Sequence, residues 1–432
     1  MEMARLSLSL IISRLGEMTG SLIYFSFIGH FIVDALSSAS FVWALASFLH
    51  VVGIGFFSTL IVKVASSTDL NEDNIAQELT LSFQYALIFG LVILVCAALY
   101  ALYSYYLPSN TEASDLKILV LFSLYLPATF IQLIVFNFFN AIKKTCPEMA
   151  CTWLFNLCLA LTGLALITLE KNPHSTTFIS LYVALKWLLT LLALYIFSHH
   201  IRQELPEFRY HQILSPSVYA HHFSNGLPLA LCLGGESFVY LLFSFISKSI
   251  GNSSLAAFQL LLHYLSTAYM ISIGTGNATG ILVARHFALR KFQALRIEYF
   301  RGLIFGLLLL TPWLVAPYFF KENISLLYTS DSETRKLIEK NIQISIPFLM
   351  FEYIYIVTRM TLRSMGDIWV PTILTLSSLN MLGLISALSL LKFYDCSVSS
   401  LFFTLVFCSC ILMFLLLCRL NQVYKNMYQI DN

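Results

Sequence analysis

Hydrophobic residues run along this chain in long unbroken stretches, parted by short polar connections. Twelve such stretches can be drawn, over 8–30, 41–64, 79–106, 117–140, 149–169, 176–198, 226–248, 254–284, 299–320, 338–362, 370–391 and 399–420. Each is close to the 20 or so apolar residues that a helix needs to cross a bilayer, and none alternates as a barrel strand does. The pattern therefore predicts twelve transmembrane helices. The most polar connection runs from Arg202 to Ser217 and divides the spans six and six. It predicts an N-terminal lobe over 1–200, a cytoplasmic linker over 201–222 and a C-terminal lobe over 223–432.

Composition narrows the class. The 432 residues are 58% hydrophobic and 11% charged, with a mean hydropathy of +0.78. No soluble domain of this length hides so much apolar surface, so the chain reads as an all-α polytopic membrane protein. Met1-Glu-Met-Ala-Arg5 carries little positive charge and no small-residue cleavage site follows. We expect an uncleaved first helix. The nine cysteines lie mostly within apolar runs and read as small hydrophobes rather than as a disulfide framework. A net charge of +2 without a basic cluster gives no reason to expect nucleic acid as a partner. Lysine and arginine are denser in one set of connections (among them Lys63, Lys143, Lys144, Arg202, Arg209, Arg285, Arg290 and Lys291) than in the other (Lys117, Lys171, Lys248, Lys321, Arg335, Lys336 and Lys392). By the positive-inside rule both termini are expected on the cytoplasmic side of the plasma (inner) membrane.

The two halves repeat. Phe25-Ser-Phe-Ile28 recurs as Phe243-Ser-Phe-Ile246, Gly53-Ile-Gly55 aligns with Gly274-Thr-Gly276, and Pro147 with Asn156 aligns with Pro371 and Asn380. The offsets of 218, 221 and 224 keep one order along the chain. Two six-helix bundles in the same orientation are expected to relate by a pseudo-two-fold axis along the membrane normal, an architecture of secondary transporters.

Ionisable residues inside the expected spans are Arg14, Glu17, His50, Lys186, Glu236, His263, Glu352 and Arg359. A charge at such depth costs a few kcal/mol unless it is paired, neutralised or facing water. Glu236 lies in the apolar run from Gly226 to Ile246. An apolar core gains nothing from it, whereas a machine that binds and releases a cation needs such a group. Glu352 is a second acid of this kind, and the two together could hold H⁺ or Na⁺. Arg359 lies seven residues after Glu352 on the same helix face. It either holds Glu352 ionised or extends to the cytoplasmic rim. Glu17 and Lys186 are either a second coupling pair or a structural one. His50 and His263 read as satisfied core histidines. Gln259, Asn156 and Asn380 can bond across helices or line a cavity. No cofactor and no metal other than a possible Na⁺ at Glu236 and Glu352 is expected.

The C-terminal half resembles the multidrug and toxin extrusion (MATE) family of antiporters. The likeness is carried by Gly226-Leu-Pro228 followed by Glu236, by Ile250-Gly-Asn-Ser-Ser-Leu-Ala-Ala-Phe-Gln259, and by Gly274-Thr-Gly-Asn-Ala278 with Leu282-Val283. It continues in Leu327-Tyr-Thr-Ser-Asp-Ser-Glu333 and in Leu362-Arg-Ser-Met-Gly-Asp367 with Pro371. The resemblance implies that Glu236 and Glu352 take the acidic positions of the seventh and tenth helices, that Gln259 lines the C-lobe cavity and that Asn156 is the cavity asparagine of the fifth helix. It also implies a monomer. The N-terminal half departs from bacterial members, which carry an aspartate five residues before a glycine in the first helix. Counting back from Gly29, Tyr24 stands there and Glu17 is the nearby acid. Coupling is therefore expected in the C-terminal half.

These observations imply a secondary active transporter in the lipid bilayer, exporting an organic, cationic or amphipathic solute by H⁺- or Na⁺-coupled antiport through alternating access. A flippase for a lipid-linked glycan or a dedicated metabolite exporter of the same superfamily is the alternative. The mapped acids outweigh the bases in the C-terminal half, against the cationic cavity that a diphosphate headgroup needs. An integral-membrane transferase is the remote alternative. A candidate histidine pair near a membrane interface, His221-His222, has no acidic partner close in sequence, and we expect no enzyme.

Overall fold

The computed structural model describes residues 2–66, 72–106, 113–142, 144, 146–169, 174–204, 215–393 and 397–431. Lys143, Lys171, Arg209 and Cys396 lie outside them, as do residues 205–214 of the expected 201–222 linker.

The described residues are helical throughout. The order is α1 (Glu2–Phe31), a 3-10 turn (Val33–Ala35), α2 (Leu36–Phe57), α3 (Thr59–Ser66), α4 (Glu72–Tyr106), α5 (Ala113–Ala141), α6 (Cys146–Leu169), α7 (Ser175–Glu204), α8 (Pro216–Ile250), α9 (Asn252–Ala288), α10 (Phe292–Phe319), α11 (Lys321–Tyr328), α12 (Ser332–Ser364), α13 (Trp369–Thr375), a π-helical turn (Leu376–Met381), α14 (Leu382–Phe393) and α15 (Val398–Asp431). Ten helical stretches among the described residues are long and apolar enough to cross a membrane, and α8, whose arms meet at 49°, makes eleven. The remaining long helix is α1. The twelve expected spans are all helices, and most run past their apolar runs by several residues.

Two spans are interrupted. The expected second span breaks at Ser58, between α2 and α3. The buried Asn137 amide on α5 donates to Phe57 O at 3.0 Å, so the break leaves that carbonyl satisfied. The eleventh span winds through the π turn that holds Asn380, a local widening that recurs at functional positions.

Burial repeats with the sequence. Within their apolar windows, 72% of the α5 span and 67% of the α12 span are buried, against 17% for α4 and 22% for α10. The fifth and eleventh spans match at 28%. Each half thus builds around its fourth helix. α5 packs on α2, α4 and α7, and α12 packs on α9, α10 and α15. The exposed faces of α4 and α10 carry Leu87, Leu91 and Leu99, and Ile304 and Leu308. Lipid tails are the solvent for such rows.

By its contacts the chain divides into two units, Phe31–Leu241 and Met1–His30 with Leu242–Asn432. This partition differs from the lobes expected at 1–200 and 223–432. α1 counts with the second half, and α8 as far as Leu241 counts with the first. A polar connection marks where the chain leaves the membrane, not which helices it packs against. The packing of α1 rests on close backbone approach. A Cβ on Gly29 would lie 2.0 Å from Tyr328 O. Gly29 O accepts hydrogen bonds from Ser330 N at 2.9 Å and Thr329 Oγ1 at 2.8 Å.

Candidate functional site

Within residues 31–241 the candidate acid is Glu236, 4% exposed on α8. The local sequence explains its setting. Pro228 has no amide hydrogen to donate to the preceding turn, and α8 bends between Leu231 and Leu233, before Glu236. Gly55 lets α2 meet this stretch, since a Cβ there would stand 2.6 Å from Leu229 O and 2.7 Å from Ala230 Cα. Gly226 and Gly234 admit Phe56 and Val52 in the same way. The repeated glycines and the Gly-x-Pro motif thus shape the approach of α2 to α8. Asn156, 4% exposed, is on α6.

The first turns of α8 carry a polar cluster that the sequence did not announce. His222, 2% exposed, has its Nδ1 2.9 Å from Glu78 Oε2. Lys63 Nζ donates to the other oxygen of Glu78. The His222 ring stacks on Tyr85 at 5.5 Å, and Tyr85 OH donates to Tyr219 O at 2.9 Å. The histidine that lacked an acidic partner in sequence has one from α4, 144 residues away. The cluster holds α8 to α4.

Within the other unit, α12 carries Glu352, 3% exposed, and Arg359, fully enclosed. Of the two readings of Arg359, extension to a wet rim does not fit this burial; its guanidinium lies 5.8 Å from the Tyr355 ring centroid. Gln259 on α9 is 6% exposed, and its amide donates to Ser244 Oγ. His263 is a satisfied core histidine. Its Nε2 shares a hydrogen bond with Ser21 Oγ at 2.8 Å, and its Nδ1 one with Tyr328 OH at 2.9 Å. This chain of three side chains joins α1, α9 and α11.

Glu17 and Lys186 have separate surroundings. Glu17 pairs with Arg14 one turn earlier on α1, at 3.2 Å. Lys186 Nζ lies over the rings of Tyr125 and Phe155, at 5.5 and 5.6 Å. The i,i+3 spacing of Arg14 and Glu17 was visible in the sequence, and helical geometry makes that the shorter connection.

The quoted motifs are also explained locally. In Leu362-Arg-Ser-Met-Gly-Asp367, Gly366 has a φ of 89°. Asp367 N donates to Leu362 O and Gly366 N to Arg363 O, the paired bonds of a Schellman C-cap. Asp367 then accepts from Arg419 Nε of α15 at 2.7 Å. In the Leu327–Glu333 motif, Asp331 caps α12 by accepting from Thr334 N at 2.8 Å. Partial burial alone would raise the Asp331 carboxyl. Hydrogen bonds from the side chain and amide of Thr334 and the amide of Glu333 outweigh it and hold the group below the usual aspartate range.

The long apolar helices, with a buried carboxylate within a span of each unit, define a multi-pass membrane protein. The MatE family profile matches residues 228–388. The probable multidrug resistance protein NorM of Caulobacter vibrioides is 24% identical over 87% of this chain and 82% of its own length. The probable NorM of Bacillus cereus is 23% identical over 54% of this chain and 52% of its own. A multidrug resistance MATE family transporter of the MOP superfamily, solved in an inward-facing conformation, superposes with a TM-score of 0.80 at 12% identity, over 99% of this chain and all of that one. Together these findings make the chain similar to MATE-family transporters, in sequence over residues 228–388 and in fold over its length.

Proposed function

We propose that this protein is a cation-coupled antiporter that exports organic, cationic or amphipathic solutes by alternating access. The observation that carries the reading is a buried carboxylate within a span of each unit, Glu236 and Glu352, each less than 5% exposed. A carboxylate at such depth costs about 3 kcal/mol on insertion scales. A cation that enters and leaves gives that cost a use. Glu236 and Glu352 alternately hold the coupling ion, H⁺ or Na⁺, and the solute, and Arg359 balances charge around Glu352. Gln259 and Asn156 offer polar contacts to the solute, while Glu17, paired to Arg14, contributes from α1. Binding biases the exchange between inward- and outward-open states only by its differential affinity for them. The protein works as a monomer in the plasma (inner) membrane with both termini cytoplasmic. The NorM relatives, whose names record multidrug resistance, support this reading.

The test is efflux of ethidium from pump-deficient bacteria expressing the wild type or Glu236→Gln. The pH and Na⁺ gradients are collapsed in turn. Efflux that stops in the variant and on loss of one gradient is expected. Equal coupled efflux by an expressed Glu236→Gln overturns the role given to this residue.

A further inference from the structure

Lys186 is a cation within a span of the 31–241 unit, and the coupling scheme does not use it. It sits near the middle of the buried face of α7. Ile179, Tyr182, Val183, Thr190 and Ala193, which surround it at helical spacing, are each no more than 6% exposed. Lys186 itself keeps intermediate exposure, so its side chain is not sealed in although its helical neighbours are buried. Its ammonium lies over Tyr125 of α5 and Phe155 of α6. Tyr182 joins these rings at 5.5 and 5.3 Å.

The rings hold a cation electrostatically but accept none of its three N–H bonds. Among the described residues the Lys186 ammonium has no carboxylate within ion-pair distance and no hydrogen-bond acceptor. Glu148, the acid on α6, accepts from Asn140 at 2.7 Å. The backbone beneath the lysine is fixed. Lys186 O accepts from Thr190 Oγ1 at 2.7 Å and from Gln132 Nε2 at 3.4 Å. Trp187 Nε1 donates to Leu124 O at 3.0 Å. A positioned ammonium with unused donors and flat apolar walls suits an acidic group attached to an aromatic or apolar body.

We propose that Lys186, with Tyr125 and Phe155, forms a binding subsite for an anionic group (carboxylate, sulfonate or phosphate) of the transported solute. The proposal rests on the transporter reading for the ligand's fate and extends its substrates from cationic to zwitterionic and acidic amphipaths. The same chemistry fits the carboxylate of a soluble amphipath and the diphosphate of a polyprenyl lipid.

The test is equilibrium binding of dansylglycine and its uncharged methyl ester to the full chain in nanodiscs. Wild type is expected to bind the acid about tenfold more tightly than the ester, the size of one hydrogen bond to a charged group. Lys186→Gln should erase that difference and Lys186→Arg should keep it. Competition by a polyprenyl diphosphate would assign the subsite to a lipid headgroup, and its absence to a soluble acid. Equal affinity for acid and ester in the wild type overturns the proposal without any variant. So does discrimination that survives in a folded Lys186→Gln. The readout is separate from coupling, because loss of gradient-driven efflux in Glu236→Gln leaves the acid–ester difference to be measured.

Discussion

Gly29→Ala tests how firmly α1 is held to the second-half helices. The added Cβ would stand 2.0 Å from Tyr328 O and 3.0 Å from Thr329 Cβ. Ordinary contact needs roughly 3.5 Å, so the helix end and the 328–330 strand of chain must part by more than 1 Å. That movement breaks the bonds from Ser330 N and Thr329 Oγ1 to Gly29 O, now 2.9 and 2.8 Å. Two such bonds are worth about 0.5–1.5 kcal/mol each, and overpacking adds about 1–3 kcal/mol. The expected cost is therefore about 4 kcal/mol, concentrated at the end of α1. Hydrogen exchange by mass spectrometry reads it directly. Amides of the last turns of α1 should exchange roughly 1,000-fold faster, since each 1.4 kcal/mol is a factor of ten. Gly251→Ala is the control, because no atom lies within 4 Å of its Cβ position. Unchanged exchange in Gly29→Ala, or equal effects of the two variants, would refute the reasoning.

Further expectations concern the motifs and the α8 cluster. Gly366→Ala places a side chain at a φ of 89° and should lower stability in detergent by about 1–2 kcal/mol; an unchanged unfolding temperature contradicts the cap assignment. Asp331→Ala should cost about 1 kcal/mol. Because the folded carboxyl lies below its ordinary value, its contribution is present at neutral pH and fades as pH falls below about 4, so a pH titration of stability should show wild type and Asp331→Ala converging in acid. A double-mutant cycle of Lys63→Met and His222→Phe, both partners of Glu78, should show coupling above about 0.5 kcal/mol; strict additivity means that Glu78 does not link them.

The spans were legible because hydropathy records depth in the membrane. Glu236 and Glu352 stood out for the same reason, as charges against an apolar background. What hydropathy leaves out is the neighbour. Glu78 meets His222 across 144 residues, and Glu78 stands one residue before the expected span 79–106, outside the apolar background that made the buried acids visible. The Arg14–Glu17 pair was within reach of simple helix spacing. The break at Ser58, beside which Asn137 bonds Phe57 O, and the π turn at Asn380 leave no mark in a run of apolar residues. Arg359 shows the opposite limit. Its position allowed both an enclosed and an extended side chain, and packing around Tyr355 decided for the enclosed one.

The central claim is that ion gradients drive solute movement through Glu236 and Glu352. Purified protein in proteoliposomes, loaded with ethidium and subjected to an imposed pH or Na⁺ gradient, tests it most directly. The account predicts transport against the ethidium gradient under one of the two ion gradients, abolished in both Glu236→Gln and Glu352→Gln while each variant stays folded. Gradient-driven transport that persists in both variants would contradict it.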